Sequence, residues 1–319
     1  MLEKKDCYLG IDTSNYKTTL AVINYYGEKL IDIRKTLEVK EGKRGLRQSE
    51  AVFQHMKNLP DIFDELSENF NPKRLKSIAV SSRPRNIEGS YMPVFLVGHN
   101  YGRVLSKALN IPIDCFSHQE GHLEAGLYDK NVNREKFLAA HLSGGTCEFL
   151  KIEKTHIEII GKSLDISYGQ LLDRVGVALG LPFPSGEYLD KIAIKSQEEL
   201  LIKNTNRKNS LPEIKIKELD FNISGIESAC QRNLNNEFLI LDIFERIAES
   251  LIKVIKKACK KEKTNEFLLT GGVSASNYIK NNLTDVLQLD NINLIVNSPS
   301  LCADNAIGIA LLGRKLRKV

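Results

Sequence analysis

Two histidines stand four residues apart in His118-Gln119-Glu120-Gly121-His122. On a helix, side chains at i and i+4 share a face, with about 5–6 Å between their Cβ atoms, which suits two ligands on one ion. A third ligand has to come from elsewhere in the chain. The plain alternative is a pair of ordinary surface histidines. A zinc protease is another, because such enzymes carry two histidines at this spacing with a glutamate directly after the first. Here that position is Gln119. Glu120 lies one residue on, a turn of about 100° on a helix, so the protease reading is set aside. Two further places offer bare backbone: Gly144-Gly145 after Ser143, and Gly271-Gly272. Without side chains their N–H groups can approach a phosphate or a nucleoside. A tight turn is the plain alternative for either pair.

Several elements must position these residues. Residues 8–14 are apolar up to a turn marked by Asp12, Thr13 and Ser14, and 18–24 resume as a strand, giving a hairpin with a small polar tip. Residues 30–39 suggest a third strand. Residues 51–70 have helical spacing behind Ser49, a candidate cap. A buried strand over 75–82, a helix over 95–109 and a strand over 111–116 lead to a short helix over 118–127 that carries the histidine pair. A second series opens near 137: a strand over 137–142, the tip Ser143-Gly144-Gly145, and returning strands over 148–153 and 156–160. The stretch 196–235 is polar and rich in lysine and asparagine, and reads as a helical insertion or loop.

The strongest helix covers 238–259. Its apolar residues Leu241, Phe244, Ala248, Leu251, Ile252 and Ile255 recur at spacings of three and four. Lys256, Lys257, Lys260, Lys261 and Lys263 crowd its end, where positive charge suits the helix dipole; an RNA contact is the alternative there. Strands over 266–269 and 292–296 and a helix over 305–317 close the chain. Each series thus begins with a strand, a small polar tip and a returning strand. That layout predicts an α/β fold of two actin-like (ribonuclease H-like) lobes, of the sugar kinase, Hsp70 and actin class, with a nucleotide cleft between them. The expected boundaries are 1–135 for the first lobe, 136–300 for the second with its insertion near 196–235, and 301–319 for a segment returning to the first.

The 319 residues are 42% hydrophobic and 27% charged, the mix of a globular protein with a substantial core. A net charge of +5 permits a polyanionic partner without requiring one. Residues 1–6 are charged and lack the apolar core of a secretion signal. No run reaches the ~20 apolar residues of a membrane span. A cytoplasmic location is expected. The six cysteines are scattered without a CxxC pair, which argues against a zinc ribbon or a redox dithiol.

Several ordered motifs resemble the tRNA N6-adenosine threonylcarbamoyltransferase family, once described as O-sialoglycoprotein endopeptidases. His118-Gln119-Glu120-Gly121-His122 resembles the family's His-x-Glu-Gly-His, whose histidines bind metal. Cys302-Ala303-Asp304-Asn305 resembles Cys-Thr-Asp-Asn, which implies Asp304 as the third ligand. Ser143-Gly144-Gly145 is similar to the substrate loop. Leu171-Leu172-Asp173-Arg174-Val175, followed by the stretch 179–186, is similar to Phe-Asp-Lys-Val and Leu-Gly-Leu-Pro-Tyr-Pro-Gly-Gly, which puts Asp173, Gly186 and Asp190 on substrate-binding positions. Gly271-Gly272-Val273-Ser274-Ala275 resembles the nucleoside loop, with Ser276 where the family has asparagine, and Gly10-Ile11-Asp12-Thr13-Ser14 resembles the opening motif.

The resemblance implies an acyl transfer from threonylcarbamoyl-adenylate to N6 of adenosine 37 in tRNA. It implies one divalent metal, iron first and zinc second, and an adenine nucleotide or acyl-adenylate ligand. Its implied partners are tRNA, a small dimerising paralogue and an ATPase subunit. A two-histidine, one-aspartate site leaves coordination positions open, as catalysis requires. No covalent enzyme intermediate is needed, so neither Cys147 nor Cys302 is assigned as a nucleophile. The chain departs from the pattern at Thr146, at Asn15-Tyr16-Lys17, at Arg83-Pro84-Arg85 and at Gln170. These changes keep two alternatives open. One is a divergent paralogue that binds nucleotide or a partner protein without modifying tRNA. The other is an ATPase or kinase on the same fold, against which Asn15-Tyr16-Lys17 lacks the acids to handle magnesium.

Overall fold

The structure is a computed structural model that describes residues 6–14, 16–40, 42–203 and 207–317. Asn15 of the altered opening motif, 204–206 of the polar insertion and 318–319 of the closing segment lie outside the described residues. In chain order the elements are β1 (Cys7–Thr13), β2 (Lys17–Asn24), β3 (Lys29–Thr36), α1 (Gln48–Asn69), β4 (Leu75–Arg83), α2 (Val94–Leu109), β5 (Ile113–Ser117) and α3 (His118–Gly126). They continue with β6 (Lys136–Leu142), β7 (Cys147–Glu153), β8 (His156–Lys162), α4 (Tyr168–Ala178), α5 (Gly186–Ile202), β9 (Ile216–Lys217), β10 (Asp220–Phe221) and α6 (Ser224–Arg232). The last are α7 (Leu239–Glu262), β11 (Glu266–Thr270), α8 (Asn277–Gln288), β12 (Asn293–Val296), α9 (Pro299–Cys302) and α10 (Ile307–Arg317).

The chain divides into two compact units: Met1–Glu38, Leu46–Asp129 and Ala303–Val319 form the first, Val39–Gly45 and Lys130–Cys302 the second. The five-stranded sheet of the first runs β3-β2-β1-β4-β5, and that of the second β12-β11-β6-β7-β8. Read from the opposite edge, the second order repeats the first. In both, the opening strand pairs antiparallel with the strand after it and parallel with a later one.

In the first unit β1 is buried along its whole length, as a central strand covered on both faces must be. Alternation divides its side chains. Cys7, Leu9 and Ile11 join Leu59, Ile62 and Leu66 of α1 and Val97 of α2 in one core. Gly10 faces the other way: a Cβ there would lie 2.3 Å from the Ala306 carbonyl oxygen, so glycine is what lets the start of α10 reach the sheet. Asp12, two residues on, shares that face. In the second unit Leu138, Ala140, Phe149, Phe267 and Leu269 of the sheet pack with Leu251, Val254, Ile255 and Ala258 of α7 in a larger core.

Several local expectations shift. Ser49 lies inside α1; Arg47 stands at its N-cap and makes no side-chain cap bond. Backbone contacts replace the cap, since Glu50 and Ala51 donate to the Arg47 carbonyl. The third strand ends at Thr36. Within 196–235, α5 ends at Ile202, and the β9–β10 hairpin and α6 follow. Helix α8, which follows the second glycine pair, was not read from the sequence.

Candidate metal centre and substrate edge

The metal candidates lie together in the first unit. Ser117 ends β5 and caps α3: its Oγ accepts from the Glu120 amide at 3.2 Å, and Glu120 Oε2 accepts from the Ser117 amide at 2.7 Å. This reciprocal box fixes where the helix starts and so makes His118 its first residue. It also occupies Glu120 with capping. One turn later His122 lies on the same face. Ligand atoms of His118, His122 and Asp304 lie within 4.8 Å of one another. The Nε2 atoms of the two histidines are 3.0 Å apart, and Asp304 Oδ1 is 3.3 Å from His122 Nε2 and 3.6 Å from His118 Nε2. The His122 side chain is 2% exposed, His118 15% and Asp304 19%, so the triad opens to solvent on its His118–Asp304 side.

Asp304 reaches the pair through close packing of α10 on α3. A Cβ on Gly308 would stand 1.9 Å from the Gly121 carbonyl oxygen, and one on Gly121 2.7 Å from Ile309 Cδ1. The two helices therefore touch backbone to backbone. Asn305 closes the start of α10, its Oδ1 accepting from the amides of Ile307 and Gly308 at 3.0 and 3.4 Å. Arg34 of β3 grips Asp32 at 2.9 and 2.7 Å and donates to the Asp304 carbonyl at 3.4 Å.

The metal reading of the sequence did not include Asp12. Its Oδ1 accepts from His118 Nδ1 at 2.9 Å, and its side chain is fully buried. A carboxylate behind an imidazole fixes the ring and leaves the other nitrogen as the ligand. The signal was present in the opening motif, at the strand position whose face meets α10. Electrostatics agree. Burial by itself would lower His118, but Asp12 and Asp304 outweigh it and push its pKa up to about 10. Burial would raise Asp304, and hydrogen bonds and positive charge from the two histidines hold it well below the usual carboxylate range. His122 is pushed down by burial and by its neighbour His118. Two carboxylates thus converge on two imidazoles, a cluster that demands a positive charge.

His55 of α1, fully buried, was likewise missed. Its Nδ1 meets Thr18 Oγ1 at 2.9 Å and its Nε2 the Ser14 carbonyl at 2.8 Å, so it pins the β1–β2 tip.

The substrate-binding candidates all fall in the second unit. Ser143 follows β6, and Gly271-Gly272 follow β11, whose Thr270 pairs with His141. These are the carboxyl ends of neighbouring parallel strands, where open α/β sheets bind ligands. Ser143 to Thr146 form a closed turn, the Ser143 amide donating to the Thr146 carbonyl at 2.8 Å. Ser167, the N-cap of α4, donates to the Gly144 carbonyl at 2.8 Å, and Gln170 completes that cap as Glu120 does in α3. Gly271 has φ +94°, a backbone form that favours glycine, and a Cβ there would meet the Leu142 carbonyl at 2.3 Å. Beside Gly145, Gly186 and Gly272 a Cβ would meet nothing within 4 Å, so bare backbone faces open space at all three.

Asp173 and Asp190 are both engaged. Asp173 Oδ1 accepts from the Ser185 amide at 2.8 Å, and burial pushes its carboxyl up to about 6 against that bond. Asp190 accepts from Ser276 Oγ and from the amides of Asn277 and Tyr278, both at 3.1 Å. It closes the N-terminus of α8, so Asp190 and Ser276 are partners of each other.

The profile of the tRNA N6-adenosine threonylcarbamoyltransferase (TsaD) family matches residues 31–311. The chain belongs to that family. The tRNA N6-adenosine threonylcarbamoyltransferase of Thermosipho melanesiensis is 28% identical over 318 residues, 97% of this chain and 94% of that protein. The probable bifunctional tRNA threonylcarbamoyladenosine biosynthesis protein of Methanocaldococcus jannaschii is 26% identical over 314 residues, 97% of this chain and 55% of that protein. Among solved structures, full-length HypF in its phosphate- and nucleotide-bound form matches with a TM-score of 0.61 and 13% identity, over all of this chain and 57% of that one. The chain thus spans little more than half of HypF. A ROK family glucokinase from Streptomyces griseus, solved with glucose and AMPPNP, matches with a TM-score of 0.51 and 12% identity over 97% of this chain and 99% of that one. These likenesses show the fold, the two-lobed α/β fold of the sugar kinase and actin class. Membership makes the chain a transferase of a tRNA-modification family. Among the described residues no helix is long and apolar enough to cross a membrane.

Proposed function

We propose that this family member transfers a threonylcarbamoyl group from threonylcarbamoyl-adenylate to N6 of adenosine 37 in tRNA, with one divalent metal held by His118, His122 and Asp304. The observation that carries the reading is the triad's shape. Adjacent ligands at about 2.1 Å from one ion stand about 3.0–3.4 Å apart in octahedral or tetrahedral geometry, and the three nitrogen and oxygen atoms here are 3.0, 3.3 and 3.6 Å apart. The donor set fits iron first and zinc second. When bound, such an ion polarises an acyl carbonyl or orients the donor.

The remaining work falls to the chain's own groups. Asp12 holds His118 with Nε2 facing the triad, and Arg34 holds the Asp304 backbone. Ser143, Gly144, Gly145, Gly186, Gly271 and Gly272 offer the adenylate an edge of backbone, with Asp173, Asp190 and Ser276 as its polar neighbours. In the transfer the N6 amine forms a C–N bond to the threonylcarbamoyl carbon. The C–O bond to phosphate breaks, AMP leaves, and the amine loses one proton to solvent. No protein nucleophile enters. Burial pushes the Cys147 thiol far above its ordinary value and Cys302 up to about 11, so both stay protonated and inert. The paralogue and ATPase subunit implied by the family are the proposed partners, and the cytoplasm the proposed location.

The test supplies purified chain, synthetic threonylcarbamoyl-adenylate, unmodified tRNA and the family's partner proteins, and digests the tRNA to nucleosides. Threonylcarbamoyladenosine at position 37 is expected. Turnover of ATP with no modified nucleoside would replace the reading with an ATPase.

A further inference from the structure

A second feature of the second unit lies away from its glycine edge. Residues 256–263, the last two turns of α7 and the residue after them, hold five lysines and one glutamate. That is a net +4 of the chain's +5, so the other 311 residues together are nearly neutral. The helix dipole favours cations only within the last turn, whereas these five lysines spread over two turns and the residue after them. Lys256 is paired with Asp290 at 2.5 Å. Among the described residues no carboxylate lies within ion-pair reach of Lys257, Lys260, Lys261 or Lys263, and all four are exposed. Lys256, Lys260 and Lys263 fall at i, i+4 and i+7, on one face, where they rim a recess of about 540 Å³ floored by Cys259 and Ile292. Lys263 itself adopts φ +53°, where the helix stops.

We infer that this helix end is a docking surface for the phosphate backbone of RNA, namely the tRNA acceptor. The inference rests on the tRNA reading above. Lysines without a carboxylate partner neutralise phosphates, and the counterions released drive the binding. The recess has no aromatic side chain in its lining, so nothing stacks on a base. The contact positions the RNA without reading its sequence. The patch lies at the amino end of β11, and Gly271-Gly272 at the carboxyl end, five residues away along the strand, a rise of about 17 Å. A bulky acceptor can therefore be held there while its reacting base sits elsewhere, and removal of the lysines leaves the glycine edge intact.

The experiment measures affinity of the full chain for a tRNA transcript across a salt series, with transfer kinetics on the same samples. It compares wild type with a quadruple Lys257→Gln, Lys260→Gln, Lys261→Gln, Lys263→Gln variant and with the matching quadruple Lys→Arg variant. Each phosphate contact adds about 0.7–0.9 to the slope of log affinity against log salt, so the glutamine variant is expected to lose about 3 from the slope. Its KM for tRNA rises about 10- to 100-fold while kcat at saturating tRNA stays unchanged, and the arginine variant behaves as wild type. A glutamine variant with wild-type slope and affinity, in an enzyme that still modifies tRNA, overturns the surface and leaves the proposed function standing. An arginine variant that fails to bind overturns it too, since charge would then not be the cause. A wild-type chain that binds anionic phosphatidylserine vesicles through these lysines but not tRNA overturns both readings.

Discussion

Replacement of Gly308 by alanine tests how the fold sets the metal triad. The new Cβ would stand 1.9 Å from the Gly121 carbonyl oxygen and 2.9 Å from the Ala125 amide nitrogen, where ordinary contact begins near 3.4 Å. Both obstacles are backbone, so no side chain can swing aside. Helices α3 and α10 must part by about 1.5 Å, the difference between those contact distances. Overpacking of that kind costs about 1–3 kcal/mol. The same movement carries Asp304 from His118 and His122, whose ligand atoms now lie 3.3–3.6 Å from its Oδ1. A misplacement of about 1 Å at a reacting centre costs about 100-fold in rate. We therefore expect Gly308→Ala to melt several degrees lower, to hold metal weakly and to lose at least about 100-fold in transfer. Gly225→Ala is the control. It lies exposed in the first turn of α6, where a Cβ meets nothing within 4 Å, so its stability should stay within about 0.5 kcal/mol of wild type. Thermal melts, metal content after dialysis and nucleoside analysis check all three expectations. A Gly308→Ala chain that keeps wild-type metal and transfer would refute the claim that helix contact sets the triad.

Further expectations follow from single contacts. Asp12→Asn keeps an acceptor for His118 Nδ1 but removes the buried charge behind it; metal affinity should fall about 10- to 100-fold, read by chelator competition. Asp190→Ala removes the acceptor that closes α8 and should cost about 1–2 kcal/mol in denaturant unfolding. Asp173 gives a pH signature. Its folded pKa, about 6, lies above the ordinary 3.8, so its contribution to stability is complete below about pH 4 and is lost as pH rises through 6. The shift amounts to about 3 kcal/mol. Asp173→Asn should flatten the stability profile between pH 4 and 7, read by denaturant unfolding across that range.

How far the sequence reveals this molecule depends on how local each signal is. The hairpin tips at Asp12–Ser14 and Ser143–Gly145, the helix α7 with its apolar stripe and the histidine pair rest on short-range pattern, and all appear as elements. Asp304 came from motif resemblance alone, since nothing near it in the chain marks a ligand; only the Gly121–Gly308 contact brings it across 182 residues of sequence. Asp12 was visible as a turn residue, but its role depends on which face of β1 meets α10. The polar stretch 196–235 hid its order because its anchors are spread thin: Leu211, Ile214, Leu219, Phe221 and Ile226 are buried singly between polar residues, and Asp242 of α7 gathers Arg207 and Ser210 from afar. Helix α8 opens on Asn277 and carries Asn281 and Asn282, weak helix formers that its buried Ile279, Leu283 and Leu287 override through packing.

The central claim is that transfer depends on one cation held by His118, His122 and Asp304. The direct test strips the protein with chelator and returns iron or zinc in sub-stoichiometric steps. Modified adenosine in tRNA is followed in wild type and in a His122→Ala, Asp304→Ala double variant. Wild-type activity is expected to return in proportion to metal and to saturate at one ion per chain, while the variant neither retains the ion nor modifies tRNA. Full transfer by stripped wild type, or by the double variant, would contradict it.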